Sequence, residues 1–373
     1  MIHSATKPTK AKKKSQKEQA PVDTAAANEA AIELFKKVNG SRKLVGQALN
    51  VNKKDMNDWP LVINVLYTQY EVLQDCAEET NFRLTTDEDE DWDVWWIDGP
   101  ILPTLLTKMK PYQRTNHLPA CYVLARKNLL AQNLQNMQYM MPEEYDFFPK
   151  TWILPQDSKN FKEQFNQKKA KTFIVKPEQQ CQGRGIFLTR NCNWLIQGEH
   201  YVAQRYLHKP YLIDGLKFDL RIYVLVTGLN PLRAYIFKEG LARFATETYK
   251  SPMGSNLGNL CMHLTNYAIN KEADGFIQNE DENRTDVGHK RSLTAIFEHI
   301  DRHPDPEINK SSKDVWQDIK DICVKTLMVG VHHMAHIYKS AKPLDVENSL
   351  CFQVIGFDVM IDSALKCWLI EVN

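Results

Sequence analysis

The sequence has no run of about eighteen apolar residues, the length a membrane-crossing helix needs, and no apolar stretch behind its lysine-rich start that would mark an export signal. Neither membrane insertion nor export is expected. It has no Cys-x-x-Cys pair. The eight cysteines (Cys76, Cys121, Cys181, Cys192, Cys261, Cys323, Cys351 and Cys367) are scattered through segments that read as strands and helices. That argues against a disulfide framework and fits a reducing, cytoplasmic compartment. Excess charge of either sign is lacking too: 47 Lys+Arg against 46 Asp+Glu leave +1, so nothing global favours nucleic acid and any charged partner must be met by local clustering. There is no Walker-type glycine–lysine spacing and no internal repeat.

What is present suits an ordinary globular protein: 373 residues, 43% hydrophobic and 25% charged, enough for two or three domains. Residues 1–30 carry Lys7, Lys10, Lys12, Lys13, Lys14 and Lys17 with almost nothing to bury, and read as a disordered basic tail. Residues 31–150 read as an N-terminal α/β domain: a β-run Leu61 to Tyr67, a helical stretch Tyr70 to Glu79, the strand WDVWWI and a helical connector from Lys127 to Met141. The acidic run Asp87 to Asp91 reads as a solvated loop, because contiguous carboxylates in a flexible loop are not shaped for a cation. Prolines 142, 149 and 155 punctuate the passage to a central domain over 151–230 and a C-terminal one over 231–373. From Lys171 onward β-runs suggest an antiparallel-rich sheet, Val315 to Tyr338 has helical spacing, and Cys351 to Asn373 reads as a hairpin.

Three constellations carry chemistry. Lys176 ends the strand TFIVKP and is followed by Cys181-Gln182-Gly183-Arg184-Gly185, then a second β-run. Glycines let a loop approach phosphates through backbone N–H groups, and a strand-borne lysine adds a fixed charge, although a Gly-x-Gly hairpin turn is the commoner use of this pattern. Next, GFDVM and LIEVN can pair. If residues 363–366 form the loop, Asp362 meets Cys367 and Asp358 lies opposite Glu371, with Asn373 on the same face. Two carboxylates and an amide that close suit a hard cation such as Mg²⁺, whereas a plain edge hairpin gains nothing from acid–acid pairing. Finally, Lys217, Asp219, Arg221, Arg243, Lys290 and Arg291 interrupt apolar strands, which is costly unless they pair or face an anionic ligand. The trio His332, His333 and His336 lacks a third-ligand pattern and reads as part of a partly buried structural helix.

Over these segments the sequence resembles the tubulin tyrosine ligase-like family, in its polyglutamylase branch. The matching stretches are DWDVWWID, MKPYQRTNHLP, RKNLLAQNLQNM, FFPKTWILP, TFIVKP, CQGRGIFLT, KPYLIDGLKFDLRIYVLVTG, EGLARFAT, MHLTNYAINK and GFDVMID through WLIEVN. They run in family order from about Leu61 to Asn373. The resemblance implies an α/β (α+β) fold of ATP-grasp type, with a small N-terminal domain and two domains clamping ATP. It implies catalytic roles for Lys176, Arg184 and Arg221, and nucleotide contacts from Lys176, Arg184, Gly185, Gln204, Arg205, Tyr206, Leu207, Lys217, Phe218, Asp219, Thr265 and Asn266. Asp358, Glu371 and Asn373 would bind Mg²⁺, and Arg243, Tyr267, Ala268 and Lys290 would hold the incoming L-glutamate. The implied reaction forms an acyl phosphate on an acceptor glutamate of a tubulin tail, which the amino group of free glutamate then attacks.

The resemblance also implies a monomer acting on the microtubule cytoskeleton, with the cilium or basal body as a place of action. Alternatives are a glycine-adding relative, disfavoured because Arg243 and Lys290 suit a side-chain carboxylate, and a catalytically silent microtubule-binding protein, disfavoured because it has no need for the acid pair. Cys181-Gln182 resembles members that extend existing glutamate chains. Gln180, Ala120 and Ala268 depart from common family residues, glycine at the first two and serine at the third. The strand WLIEVN is expected inside the sheet with both faces covered, with Trp368 and Ile370 on one face and Leu369, Glu371 and Asn373 on the other. A domain seldom stops at such a strand, so the 373-residue form is expected to be incomplete, poorly soluble and weakly active.

Overall fold

Alternating apolar and polar residues build three sheets in chain order, in a computed structural model that describes residues 61–373 apart from residues 81, 167–169, 179, 181–182, 197 and 282–283. The expected basic tail, the first part of the N-terminal domain and Cys181-Gln182 lie outside the described residues.

The first sheet is small and parallel: β1 (Leu61–Tyr67), β2 (Phe82–Thr85), β3 (Val94–Ile97) and β4 (Arg114–Thr115) in the order β2-β1-β3-β4. The helix Val72–Thr80 links β1 to β2 and buries Leu73 and Ala77. The acidic run is a loop, as expected, though not a free one: Asp91 accepts from Lys110 Nζ at 2.9 Å and Tyr112 Oη at 2.6 Å, and Glu90 pairs with Arg83.

The second sheet is antiparallel: β5 (Thr151–Leu154), β6 (Phe173–Pro177), β7 (Phe187–Thr189) and β8 (Tyr201–Arg205) in the order β5-β8-β6-β7. Its covered face is aromatic. Trp152, Phe161 and Phe173 meet with ring centres 5.1–5.6 Å apart, the tilted and edge-on arrangement that ring quadrupoles favour.

The third sheet holds β9 (Leu212–Ile213), β10 (Leu216–Leu229), β11 (Leu232–Phe244), β12 (Lys290–Ser292), β13 (Gln353–Ile361) and β14 (Cys367–Val372), ordered β12-β11-β10-β13-β14 with β9 added on β10. One face packs on the 30-residue helix Ser312–Ala341, which buries Val315, Ile319, Ile322, Leu327, Val331, Met334 and Tyr338 at helical spacing. At Gly330 this helix comes so close to the turn Tyr122–Ala125 that a Cβ would lie 2.8 Å from Leu124 Cδ2. The helix Lys127–Met140 adds Leu130, Ala131 and Leu134 to the same core. His332, His333 and His336 sit on the exposed side of the helix Ser312–Ala341, and no cluster of three or more potential His, Cys, Asp or Glu metal ligands occurs among the described residues.

Three expectations need correction. The β-runs after Lys171 form two sheets, not one. The expected domain limit at 230/231 falls in the turn between β10 and β11, neighbouring strands of one sheet; the sheets change between Arg205 and Leu212. Strand period shows where a strand lies but not which sheet it joins. β14 is not inside the sheet: among the described residues it is the outer strand beside β13.

The last hairpin also differs in detail. Its loop is one residue longer than expected, since Cys367 pairs with Ile361 rather than Asp362. The register then shifts by one between Asp358 and Val359, leaving Ile370 as an extra residue, and Asp358 still lies opposite Glu371. Leu369 therefore belongs to the core with Cys367 and Val372, not with Glu371 as the unbroken alternation required.

Candidate active site

The floor of a cleft is the face of the third sheet turned away from the long helix. On β10, Phe218 and Leu220 enter the core, so Lys217, Asp219 and Arg221 must take the other face. Strand pairing then builds two rows of charge. In one, Asp219 lies opposite Arg243, which lies opposite Lys290. In the other, Arg221 lies opposite Asp358, which lies opposite Glu371.

Each row begins with a pair of opposite sign and ends with two like charges, and the side chains bond across the unlike pairs. Arg243 grips Asp219 with two hydrogen bonds, at 2.8 and 2.6 Å, and reaches Asp358 at 2.8 Å. Arg221 Nε donates to Asp358 at 2.5 Å. Burial alone would lower the pKa of Arg243, but the Asp219 and Asp358 carboxylates outweigh it and hold the guanidinium firmly charged. Asn373 Nδ2 donates to Asp358 at 3.3 Å.

The roof comes from the second sheet. Lys176, only 5% exposed on β6, donates to Gln204 Oε1 at 3.2 Å and to the Ile370 carbonyl at 3.4 Å. Gln204 is turned this way because its amide nitrogen donates to Thr151 Oγ1 at 3.0 Å. Burial pushes the Lys176 amine well below the usual lysine range, against the pull of Glu371. Its carbonyl partner belongs to the extra residue of β14, so the register shift joins roof to floor.

At the other end the walls are Ile174, Ile186, Leu207, Leu264 and Met360, with Tyr206, Lys217 and His263 among them. Lys217 Nζ donates to the His263 carbonyl at 2.7 Å and to Tyr206 Oη at 3.1 Å. Burial lowers its pKa to about 7.

Of the expected site residues, Lys176, Gln204, Arg205, Tyr206, Leu207, Lys217, Asp219, Arg243, Thr265, Asn266, Asp358 and Glu371 line this cleft together. Arg221, Asn373 and Lys290 adjoin it through the pairings above. Lys290 holds its ammonium 3.7 Å from the centre of the Tyr267 ring. Arg184 and Gly185 lie in an exposed turn before Ile186, and Ala268 in the short helix Tyr267–Asn270. That turn is tight: Gly183 has φ +80°, and a Cβ there would lie 2.6 Å from Ile269 Cδ1. Phe218 is a correction. It stacks on Phe244 in the core, 5.0 Å between ring centres, because period-two alternation carries it away from its neighbours Lys217 and Asp219.

Besides apolar lining residues, a charged residue beside the cleft and a histidine within it were not anticipated. Lys127, at the start of its helix, donates to the Gln180 carbonyl at 2.8 Å and pairs with Glu371 at 3.7 Å, tying the glycine turn to the acid pair. Nothing in its local pattern marks it. His263 stands two residues before Thr265, and that proximity was its only signal.

For a metal ion, Asp358, Glu371 and Asn373 offer oxygen donors on one face, the ligand chemistry of a hard cation. Asp358 is the group whose arginine partners such an ion would share.

Comparison with known proteins bears on the whole arrangement. The tubulin-tyrosine ligase family model matches residues 105–373. A probable beta-tubulin polyglutamylase of Tetrahymena thermophila is 48% identical over 317 residues, covering 84% of this chain and 26% of that protein. Tubulin polyglutamylase ttll6 of Danio rerio is 42% identical over 313 residues, 84% of this chain and 39% of the relative. Tubulin polyglutamylase TTLL6 of Homo sapiens is 41% identical over 313 residues, 84% and 34% respectively. The chain thus spans between a quarter and two fifths of the length of these relatives. The family match covers the second and third sheets and every charged row of the cleft, and the chain belongs to the tubulin-tyrosine ligase family.

Proposed function

We propose that the chain carries the centre of an ATP- and Mg²⁺-dependent ligase that joins L-glutamate, through an isopeptide bond, to glutamate side chains of tubulin tails. The observation that carries this reading is the meeting, in one cleft, of the desolvated amine of Lys176 with the row Arg221, Asp358 and Glu371. The names of the relatives above support the choice of acceptor and amino acid.

A carboxylate is a poor electrophile. Transfer of the terminal phosphoryl of ATP to the acceptor γ-carboxylate creates an acyl phosphate, and the glutamate amine displaces phosphate from it. On this reading the second and third sheets are the two jaws of an ATP-grasp clamp, one starting near residue 151 and the other near 212. Lys176, fixed by Gln204, presents a positive charge to the phosphates, and Arg184 in the glycine turn can close over them. Asp358, Glu371 and Asn373 would hold Mg²⁺, which when bound offsets phosphate charge. The apolar walls at the other end would receive the base of the nucleotide.

Arg243 and Lys290 sit on adjacent strands, and with Tyr267 and Ala268 they would receive the glutamate carboxylates. Arg243 would exchange part of its grip on Asp219 for the ligand. A glycine substrate would leave one of these cations without a partner, so glutamate is the better fit. The same reading makes the protein a monomer working on microtubules, in a cilium or basal body, and extending existing branches.

The test offers labelled glutamate, glycine and tyrosine separately with tubulin and MgATP, followed by mass spectrometry of both tails. Glutamate alone should be incorporated, faster on tails that already carry a branch. Glycine or tyrosine incorporation, or none, overturns the reading, and faster reaction on unmodified tails overturns the preference for extension.

A further inference from the structure

The second sheet gathers charge on the face turned away from the cleft. Alternation along β8 sends Gln204 to the cleft and Arg205 to the opposite, aromatic face, where its guanidinium carbon lies 5.6 Å from the centre of the Phe173 ring. The pairing of Thr151 with Gln204 continues for one residue, since the Arg205 amide donates to the Lys150 carbonyl at 2.8 Å, and Lys150 therefore stands directly opposite Arg205. Lys150 shares this face with Trp152 and holds its ammonium 5.5 Å from the centre of that ring. On the other side Phe173 pairs with Arg205, and the ladder again runs one residue further, because the Tyr206 amide donates to the Thr172 carbonyl at 3.0 Å. Alternation then returns Lys171 to the face of Phe173.

Three cations thus meet at one end of the sheet, and like charges placed opposite each other on neighbouring strands oppose folding. No carboxylate relieves them. None of the three forms an ion pair among the described residues, and Arg205 Nη1 is buried without a hydrogen-bond partner although the residue as a whole stays partly exposed. Burial first, then the charges of Arg205 and Lys150, lower the pKa of Lys171.

Lys150 and Arg205 border a cavity of about 700 Å³ that lies between this face, the helix Lys127–Met140 and Trp368. Two acids line it as well, and both are already engaged: Asp157 accepts from the Ile153 amide at 2.7 Å and Asp146 from Lys366 Nζ at 2.6 Å. Asn160 accepts from Trp152 Nε1 at 3.2 Å, which leaves its NH₂ group to donate. The uncompensated charge of the cavity is therefore positive, and its other polar groups suit a peptide backbone.

We propose that this cavity docks an acidic peptide, with carboxylates between Lys150, Lys171 and Arg205. The cavity extends from these cations to Gln138 and Tyr139, far more room than one compact anion fills, and two of the cations sit on long stems that can follow carboxylates spaced along a chain. Arg205 and Leu207 border both this cavity and the cleft. The acceptor's acidic tail is the peptide with the right chemistry, held here by residues other than the one under attack; this last step rests on the ligase reading of the cleft.

The test is fluorescence anisotropy of a labelled peptide of alternating glutamate and glycine, beside its glutamine counterpart, with inorganic phosphate as competitor. The glutamate peptide should bind, more weakly as salt is raised, and the glutamine peptide should not. The double variant Lys150→Gln/Lys171→Gln should bind it about tenfold more weakly with unchanged affinity for ATP, and Arg205→Gln should weaken the peptide by a similar factor. Because it relieves repulsion, the double variant should also melt no lower than the unaltered protein. Unchanged peptide affinity in the double variant overturns the site, as does a loss of affinity accompanied by a lower melting temperature, which would assign the cations to the fold. Displacement by phosphate at concentrations as low as those of the peptide overturns the choice of a peptide. Binding that meets these expectations in a protein that incorporates no glutamate keeps the site and overturns the ligase reading.

Discussion

On β10 and β13 one set of alternate residues, Leu220, Ile222, Val226, Phe357, Val359 and Ile361, meets the long helix, while the set between them, Asp219, Arg221 and Asp358, meets the cleft. The two faces are close in burial: Ile222 is 0% exposed, Asp219 6% and Asp358 5%. They differ in what burial does. On the helix face it removes apolar surface from water and stabilises. On the cleft face it strips water from charges, which opposes folding and makes each charge stronger toward a ligand. The same strands thus supply stability on one side and reactivity on the other, and a change on one side should leave the other's property largely intact.

The largest expected contrast sets Phe357→Ala against Glu371→Gln. The first empties a fully buried ring site and should cost about 3–5 kcal/mol in denaturant unfolding. The second loses a pair at 3.7 Å and should change stability by less than about 1 kcal/mol while abolishing ligation. Comparable losses of stability in both variants would erase the distinction between the faces.

Arg243→Ala sharpens the comparison within the cleft. It should raise the KM for glutamate by about tenfold more than the KM for ATP, as expected for loss of a forked carboxylate partner. A change confined to ATP would move Arg243 from the amino-acid end to the phosphate end.

A smaller effect comes from Lys217. Its folded pKa is lowered to about 7, from an ordinary lysine value near 10.5, so between these limits the unfolded chain binds more protons than the folded one. Stability therefore rises with pH from about 7 to 10 through this group and is lost as pH falls back toward 7. Urea unfolding midpoints at pH 7 and 9 should show a rise that Lys217→Met removes; an equal rise in both would exclude this residue as the source.

The smallest concerns Ala120, away from either face. Its φ of +59° is a left-handed conformation that alanine adopts at a cost, which explains why a glycine would suit the position. Ala120→Gly should stabilise by up to about 1 kcal/mol and leave ligation unchanged, and a loss of stability would contradict the strain.

Much of this was legible before any coordinates. The period of two in FDLRIYVLV separates Asp219 and Arg221 from Leu220 and Ile222, while the acid pair was reached from the hairpin at the chain's end only because a loop expected one residue too short and the unforeseen extra residue Ile370 cancel. What the pattern does not contain is how separate pieces meet. Lys127 reaches Glu371 from a helix more than two hundred residues away in sequence, and Lys176 approaches Ile370 from another sheet. Packing of distant elements sets those contacts, and no local spacing encodes it. Phe218 was misassigned for a related reason: a motif names a run of residues, while a strand sends alternate members of that run to opposite faces.

The extra residue at Ile370 carries a consequence for how this protein can change. Counting back from the loop, an uninterrupted ladder would bring Glu371 opposite Phe357 and point its carboxylate into the oily layer under the long helix; the single added residue reverses that parity. The acid pair is therefore protected by arithmetic as well as by chemistry. Substitutions along β14 can adjust the site by degrees, but deletion of one residue between Leu369 and Glu371 exchanges inside for outside in a single step. Homologous hairpins should accordingly vary freely in the loop at 362–366 while keeping an unvarying length from Leu369 to Asn373.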